Sequence, residues 1–215
     1  IINYFSQGWP IFPVHWIVEN QCSCGSASCK SPGKHPLIAR GFIDATTDIQ
    51  QIQSWHSQWP QANWGMRTGD RSLGGSGILV VDIDVKSGGF DTWEQLRVEH
   101  LEPIETVTVA TGGGGQHLWF AYPEGLDIRS KAGVLGPGID IRANGGYVLV
   151  PPSVTVAPYK YILNPEEVEI SPCPRWMLDL LQITIKPHAV KLPAGLRIGS
   201  EVSQGARHQS LLTMA

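Results

Sequence analysis

Short apolar runs separated by turn residues set the pattern of hydrophobic and polar positions along the chain. Residues 78–85 (ILVVDIDV) form a mostly apolar run whose only polar members are two aspartates. Such a run predicts a central β-strand that is buried on both faces. Residues 105–110 and 116–122 predict two further strands. A β-hairpin is predicted where residues 139–142 and 147–150 flank Asn-Gly-Gly, a favoured hairpin turn.

Helical spacing of apolar positions predicts three helices, over residues 48–58, 90–100 and 173–181. Asp48 is placed to cap the first of them, and Ile52 and Trp55 recur on one side of it. Residues 1–20 have the pattern of a helix end followed by a short strand at 11–16. This mixture of strands and helices predicts an α/β (α+β) fold.

Composition narrows the class of protein. Apolar residues make up 42% of the 215, enough for a sizeable core, whereas charged residues make up only 16%, against roughly 25% in an average globular chain. Coiled coils are therefore excluded, and no apolar stretch reaches the 18 or so residues of a membrane span. The net charge of −3 excludes a uniformly basic surface for nucleic acid but leaves room for a local basic groove.

The predicted organisation is one domain over residues 1–183, a linker over 184–200 and the start of a truncated helical domain over 201–215. Because the chain begins at Ile1 rather than Met, we expect it to be a piece of a longer protein. The sequence has no signal-peptide pattern, and its tight cysteine cluster suits a metal better than disulfides. We therefore expect a cytoplasmic protein without a membrane partner.

Two carboxylates interrupt the apolar strand at Asp82 and Asp84. Residues two apart on a strand share a face and lie roughly 6.5–7 Å apart. Two ionised carboxylates in an apolar setting require a cation, and hard ions such as Mg²⁺ or Mn²⁺ prefer carboxylate oxygen. The alternative is that the strand ends here and both aspartates are solvated or cap the next helix.

A second strand repeats this arrangement at Asp140 and Arg142, within GIDIR. Three carboxylates from two strands of one sheet can hold one or two metal ions that clamp a triphosphate. The forked guanidinium of Arg142 suits a phosphate oxygen. The alternative is a simple Asp–Arg pair on the surface.

Four glycines followed by Gln and His form the segment 112–117 (GGGGQH). Glycines such as Gly115 let a backbone approach a ligand closely and offer N–H groups to anions. The segment is neither a Walker loop nor a dinucleotide fingerprint, because a strand follows it rather than a helix. A flexible hairpin loop and a core histidine at His117 are the alternatives.

A cysteine-rich loop over residues 21–36, hereafter the cysteine loop, contains Cys22, Cys24, Cys29 and His35. Three thiolates and an imidazole make a tetrahedral set for structural Zn²⁺. The spacing departs from a standard Cys-x₂-Cys pair, so Cys22 or Cys24 is open to being a bystander and His15 to being a substitute ligand. Unligated thiols are the alternative.

These motifs together resemble the prim-pol family, the bifunctional DNA primase/polymerase domains of the archaeo-eukaryotic primase superfamily. The resemblance rests on VVDIDVKSGG, GGGQHLWF, GIDIRANGGYVLVPPS and the cysteine loop ending in PGKHP, in this order over about residues 8–180. It implies an RRM-like mixed or antiparallel catalytic sheet with flanking helices, beside a smaller N-terminal α/β unit that bears the zinc loop.

The resemblance also implies roles for particular residues. Asp82, Asp84 and Asp140 hold catalytic Mg²⁺ or Mn²⁺, and His117 contacts the phosphates of the incoming nucleotide. Arg142 is a further triphosphate contact, with Ser153 as a weaker candidate. The implied partners are DNA template and primer, dNTPs or NTPs, and a helical domain and a helicase in the same chain. Four basic residues are candidates for the groove: Arg67, Lys86, Arg129 and Lys131.

The expected function is therefore template-directed nucleotidyl transfer by a DNA primase/polymerase, in the replication of a plasmid, phage or other mobile element. Three alternatives are weighed against it. A glycosyltransferase explains the Asp-x-Asp pair but leaves Asp140 and the cysteine loop without a role. A metal-dependent nuclease needs no triphosphate site, and a non-catalytic zinc-bearing nucleic-acid-binding module needs no carboxylates.

Overall fold

The computed structural model describes residues 2–181 and arranges them around two antiparallel sheets. The small sheet has the order β1-β4-β9 and the large sheet the order β10-β6-β7-β5-β8, with a separate ribbon of β2 and β3. The strands are β1 Ile11–Val14, β2 Ile17–Val18, β3 Gln21–Cys22, β4 Asn63–Arg67, β5 Ile78–Ile83, β6 Thr108–Ala110, β7 Gln116–Ala121, β8 Ile139–Arg142, β9 Tyr147–Val150 and β10 Lys160–Leu163.

Within residues 2–181, four α-helices accompany the sheets: α1 Ile2–Ser6, α2 Ile49–Gln58, α3 Gly89–His100 and α4 Arg175–Leu180. The predicted helix over 48–58 is confirmed: the Asp48 carboxylate accepts from the Gln50 N–H at 2.9 Å, and Ile52 and Trp55 are buried. The chain is thus a mixed α/β protein with antiparallel sheets and few helices, whereas the RRM-like topology stays a prediction. Within residues 2–181, none of the helices has the length and apolar character needed to cross a lipid bilayer.

Strand β5 lies inside the large sheet, and its alternate residues enter two different cores. Ile78 and Val80 pack in a shared core between the two sheets, together with Phe12, Trp119 and Val148. The intervening residues point to the opposite face and pack in a second core with α3 and α4: Leu79, Val81 and Ile83. The prediction of a strand buried on both faces is therefore confirmed, although the strand ends at Ile83.

The predicted hairpin over 139–150 is wrong. Strand β8 pairs with β5 in the large sheet, whereas β9 pairs with β4 in the small sheet. The buried Asn144 between them accepts from the Asp70 N–H at 2.8 Å and donates to the Tyr122 hydroxyl at 2.8 Å and to Asp127 at 3.0 Å. These long-range bonds satisfy a buried amide and override the local turn preference of Asn-Gly-Gly.

The small sheet is not formed by the N-terminal residues alone, as the expected N-terminal unit would be. Its strand β9 comes from residues 147–150. Its middle strand β4 was not predicted. Gly65 in that strand lies under the Phe12 ring, where a Cβ would come within 2.6 Å of the ring. The close packing of strand on ring therefore requires glycine, the residue that weakens a strand pattern in the sequence.

Smaller differences concern element ends. The strand expected over 11–16 stops at Val14, the strand expected over 105–110 begins at Thr108, and β10 was not predicted. The linker expected over 184–200 and the helical start expected over 201–215 lie outside the described residues.

Candidate active site and metal centre

The register of the large sheet places Asp82, Asp140 and His117 in one row. Asp82 on β5 is opposite Asp140 on β8 and also opposite His117 on β7. Side chains of directly opposed residues stand on the same face, with Cβ atoms about 4.5–5.5 Å apart. The structure thus brings together three side chains that are far apart in sequence.

Arg142 ties the two carboxylates of this row together. It lies on the same face of β8 as Asp140, two residues further on. Its Nη2 lies 2.8 Å from Asp140 Oδ2 and 3.4 Å from Asp82 Oδ2. The second oxygen of Asp140 accepts from the Gly133 N–H at 2.9 Å. The single positive charge of the guanidinium therefore offsets part of the negative charge of the two carboxylates and holds both in place.

The charge state of Asp82 follows from its neighbours. Its Oδ1 lies 3.5 Å from His117 Nε2. Burial acts to raise the pKa of Asp82, but the hydrogen bond and charge of His117, followed by the charge and hydrogen bond of Arg142, outweigh it, so the pKa lies below its ordinary value. Asp82 is thus held ionised, as a metal ligand must be.

His117 is almost completely buried at the inner end of the row, with only 4% of its surface exposed. Its ring lies 5.9 Å from that of Tyr159, and burial followed by the charge of Asp82 raises the pKa of Tyr159 to about 12. Within residues 2–181, His117 Nδ1 has no hydrogen-bond partner. Its other ring nitrogen faces Asp82 in the cavity described next.

These side chains line a cavity of about 560 Å³, the acidic cleft, which both sheets help to form. That volume is within the range of roughly 300–1,000 Å³ typical of small-molecule sites. The cleft begins where the apolar face of β5 ends: Val80 is in the shared core, and Asp82 is the next residue on the same face. Sequence reasoning assigned no role to the other side chains of the cleft, among them Lys34, Phe42, Thr111, Ser130, Tyr147 and Tyr159.

Asp84 also lines the acidic cleft, but it lies beyond the end of β5. Its Oδ1 accepts from the Lys86 N–H at 2.8 Å and its Oδ2 from the Ser87 hydroxyl at 3.4 Å. It therefore caps the single 3₁₀ turn Val85–Ser87. The two interpretations of Asp84, cap and cleft carboxylate, are compatible in one residue.

The glycine segment serves close packing at Gly115. The Gly115 N–H donates to Thr111 Oγ1 at 3.0 Å, so this amide is already used within the loop. A Cβ at Gly115 would collide with the carbonyl oxygen of Ile83 at the end of β5. The glycine thus lets the loop approach the strand end that carries Asp82.

The structure does not bring Ser153 to the acidic cleft. The residue is buried, and its hydroxyl accepts from the Trp64 N–H at 2.9 Å and donates to the Trp64 carbonyl at 3.2 Å. Both hydrogen-bonding capacities of the hydroxyl are therefore used to join β4 to the segment after β9. The candidate basic residues separate too: Lys86 lines the acidic cleft, whereas Arg67 and Arg129 line another cavity of about 130 Å³.

The cysteine loop brings its predicted ligands together. One ligand atom from each of Cys22, Cys24, Cys29 and His35 lies within 4.8 Å of all the others, in the one such group found among residues 2–181. His15 is outside the group: its Nδ1 lies 2.8 Å from Ser23 Oγ and its ring packs on His35. Three sulfurs and an imidazole at this separation fit tetrahedral Zn²⁺.

The thiol of Cys22 is prepared for metal binding. Burial acts to raise its pKa, but hydrogen bonds from the Cys24 and Gly33 backbone, from the Cys24 side chain and from His35 lower it to about 6. Cys173, the fourth cysteine of the chain, lies apart, 3.6 Å from the Met177 sulfur, and burial raises its pKa to about 12. The pKa of the Cys22 thiol is thus lowered within the cluster, whereas that of the isolated, half-buried Cys173 thiol is raised.

Taken together, the geometry defines a mixed α/β protein with an acidic cleft on an antiparallel sheet and a Cys₃His cluster beside it. The sequence profile of the Prim-Pol family, described as the N-terminal domain of bifunctional DNA primase/polymerases, matches residues 1–176. The chain therefore belongs to this family, which confirms the resemblance drawn from its motifs. No curated protein gives a significant match to the chain.

Proposed function

We propose that the protein is a template-directed nucleotidyltransferase, a DNA primase/polymerase that transfers nucleotides from dNTPs or NTPs to a 3′-hydroxyl. Family membership gives the general function of the DNA primase/polymerase type. The single observation that carries the specific proposal is the row Asp140–Asp82–His117 across three neighbouring strands, with Arg142 on the same face.

In this proposal Asp82, Asp84 and Asp140 hold Mg²⁺ or Mn²⁺, for which oxygen ligands are suited. Bound there, the divalent ions supply a lowered pKa for the attacking hydroxyl and charge compensation for the leaving pyrophosphate. The low pKa of Asp82 keeps its carboxylate available for this role. The donor chemistry fits such ions, although Arg142 now bridges two of the three carboxylates.

Arg142 and His117 then bind the triphosphate. The guanidinium N–H groups of Arg142 that donate to Asp82 and Asp140 can also donate to a phosphate oxygen. Nucleotide and carboxylates therefore compete for the same donors. His117 stands at the inner end of the row, where an imidazole N–H reaches a phosphate oxygen. Buried and framed by Tyr159, it orients the nucleotide with little freedom of its own.

The wider setting of the proposal follows the family. We expect the protein to act on DNA template and primer in the replication of a plasmid, phage or other mobile element, joined to a helical domain and a helicase. The four unpaired cysteines suit a reducing compartment such as the cytoplasm. An RRM-like arrangement of the large sheet belongs to the same proposal.

Primer extension tests the proposal directly. Zinc-loaded protein with Mn²⁺ or Mg²⁺ is expected to extend a labelled primer with the nucleotides that the template specifies. Asp82→Asn is expected to slow incorporation by about 100-fold or more, because several kcal/mol of charge compensation is lost. Asp91→Asn, on the exposed first turn of α3, is the matched control and is expected to retain full activity.

The alternatives predict different products. A shortened primer in the extension assay indicates a nuclease, and sugar transfer in a parallel assay with a nucleotide sugar indicates a glycosyltransferase. DNA binding that Asp82→Asn leaves intact, without incorporation by the wild type, indicates a non-catalytic module. Any of these results from folded, zinc-loaded protein contradicts the proposal.

A further inference from the structure

The cysteine loop supplies a side chain to the acidic cleft. Lys34 lies between two residues of the Cys₃His cluster, Cys29 and His35, and lines the cleft that holds Asp82 and His117. The cluster and the cleft are thus joined by the residue that directly precedes His35.

Hydrogen bonds hold the backbone N–H and carbonyl groups of both Gly33 and Lys34. The Gly33 N–H donates to the Cys22 sulfur at 3.4 Å, and the Gly33 carbonyl accepts from Asn63 at 2.8 Å. The Lys34 N–H donates to the Ser31 carbonyl at 3.0 Å, and the Lys34 carbonyl accepts from the Tyr147 hydroxyl at 2.8 Å. These bonds connect the backbone of Lys34 to the metal cluster on one side and to strand β9 on the other.

The side chain of Lys34 has no such partner. Among residues 2–181, no carboxylate lies within 4.0 Å of its ammonium group, and the same is true of Lys86, which also lines the cleft. Lys34 is an exposed lysine on a fixed backbone that lines the cleft and has no carboxylate partner in the described part of the chain, and these are features of an anion-binding residue. The anion that fits a cleft of carboxylates and donors is a phosphate group, for which lysine acts as a point charge.

We infer that Lys34 binds the triphosphate of the incoming nucleotide and that the cysteine loop holds it in position to do so. This inference rests on the proposed function, because it takes the acidic cleft as the nucleotide site. The Cys₃His cluster then has a second consequence besides stability: it holds the backbone of a lysine that lines the same cleft as the carboxylates.

Nucleotide binding without DNA provides the test. Titration of zinc-loaded protein with dATP and Mn²⁺ is expected to give an affinity about tenfold or more weaker for Lys34→Ala than for the wild type, because a hydrogen bond to a charged group is lost. Inorganic tripolyphosphate, which lacks base and sugar, is expected to show a similar loss. The affinity of Lys34→Ala is also expected to depend less on salt concentration.

Two further variants separate phosphate binding from a structural role. Lys30→Ala removes a charge from an exposed position of the same loop that does not line the cleft, and is expected to bind dATP like the wild type. Lys34→Arg keeps the charge and is expected to restore most of the affinity. Zinc content of all three variants is expected to equal that of the wild type, since Lys34 is not a ligand.

Each contrary result has a defined meaning. Unchanged dATP and tripolyphosphate affinity in Lys34→Ala overturns the inference while the proposed function stands. The inference also fails if Lys34→Ala loses zinc, or if it weakens binding of primed DNA in the absence of nucleotide but not binding of dATP. If the wild type itself binds no nucleotide, the proposed function and the inference fail together.

Discussion

The Cys₃His cluster and the acidic cleft differ in how far the protein itself closes them. In the cluster, the four ligand atoms lie within 4.8 Å of one another, and the Gly33 N–H donates to the Cys22 sulfur. In the cleft, Arg142 lies between Asp82 and Asp140, while Asp84 stands beyond the strand end. One site has four ligand atoms close together, and in the other a cation of the protein bridges two carboxylates.

Under the proposed function, this is the difference expected between a structural and a catalytic centre. A structural zinc site is closed by protein ligands, whereas a catalytic site keeps positions open for water or substrate. The guanidinium of Arg142 reduces the repulsion between the two half-buried carboxylates of Asp82 and Asp140. Under the proposed function, an exchangeable ion and a substrate share the cleft, while the cluster holds a structural ion.

The largest effect on stability is expected from removing a ligand of the Cys₃His cluster. Cys24→Ser removes one of four ligands, and we expect loss of stoichiometric zinc and a decrease of roughly 3–5 kcal/mol in the free energy of unfolding. Metal analysis and chemical denaturation measure both. Cys173→Ser and His15→Ala are the controls and are expected to keep zinc. Stoichiometric zinc in Cys24→Ser would remove that residue from the ligand set.

A smaller effect is expected from removing the cation of the open site. Asp82 has a depressed pKa, so it stabilises the fold above its unfolded pKa of about 3.9, and this stabilisation is lost as the pH falls through the folded pKa. In Arg142→Gln the pKa of Asp82 is expected to rise, and stability at pH 7 relative to pH 3 is expected to fall by about 1 kcal/mol after solvent screening. Denaturation across this pH range, with NMR titration of Asp82, provides the measurement.

Arg129→Gln serves as the control for that experiment, because Arg129 pairs with Asp127 at an exposed position outside the cleft. It is expected to leave the titration of Asp82 unchanged. An Asp82 pKa that does not rise in Arg142→Gln would show that His117 alone holds the carboxylate in its ionised state, and the comparison between the two sites would lose its electrostatic basis.

The smallest effect on stability is expected at Ser153, a buried residue that does not line the acidic cleft. Ser153→Ala removes two hydrogen bonds to Trp64 and is expected to lower the free energy of unfolding by about 1 kcal/mol. Nucleotide affinity, measured by titration, is expected to stay at the wild-type value. Weaker nucleotide binding at unchanged stability would return Ser153 to the nucleotide site.

The local sequence pattern predicted the elements in which one feature, either apolar spacing or a group of cysteines, determines the structure. Strand β5 and helix α2 follow directly from their apolar spacing, and the cysteine loop from its concentration of sulfur ligands. Strand alternation also predicted the shared face of Asp140 and Arg142. The opposition of Asp82 and Asp140 depends on the pairing of β5 with β8, which no local pattern encodes.

Long-range contacts explain what the sequence did not predict. The Asn-Gly-Gly segment has the composition of a hairpin turn, but bonds from Asn144 to Asp70 and Tyr122 direct its two flanking strands to different sheets. The Lys34 carbonyl accepts a hydrogen bond from the Tyr147 hydroxyl, 113 residues away along the chain, and both residues line the cleft. A lysine near cysteine ligands gives no sign of that proximity in the sequence.

The passage of the chain from β8 to β9, across the Asn144 junction, has a consequence for how such a domain is inherited. The small sheet takes strands from residues 11–14, 63–67 and 147–150, and the large sheet takes β10 after them. No single crossover point divides the gene into two segments that each encode a whole sheet. A crossover between residues 83 and 147 therefore separates strands of both sheets, whereas one between residues 14 and 63 separates strands of the small sheet alone.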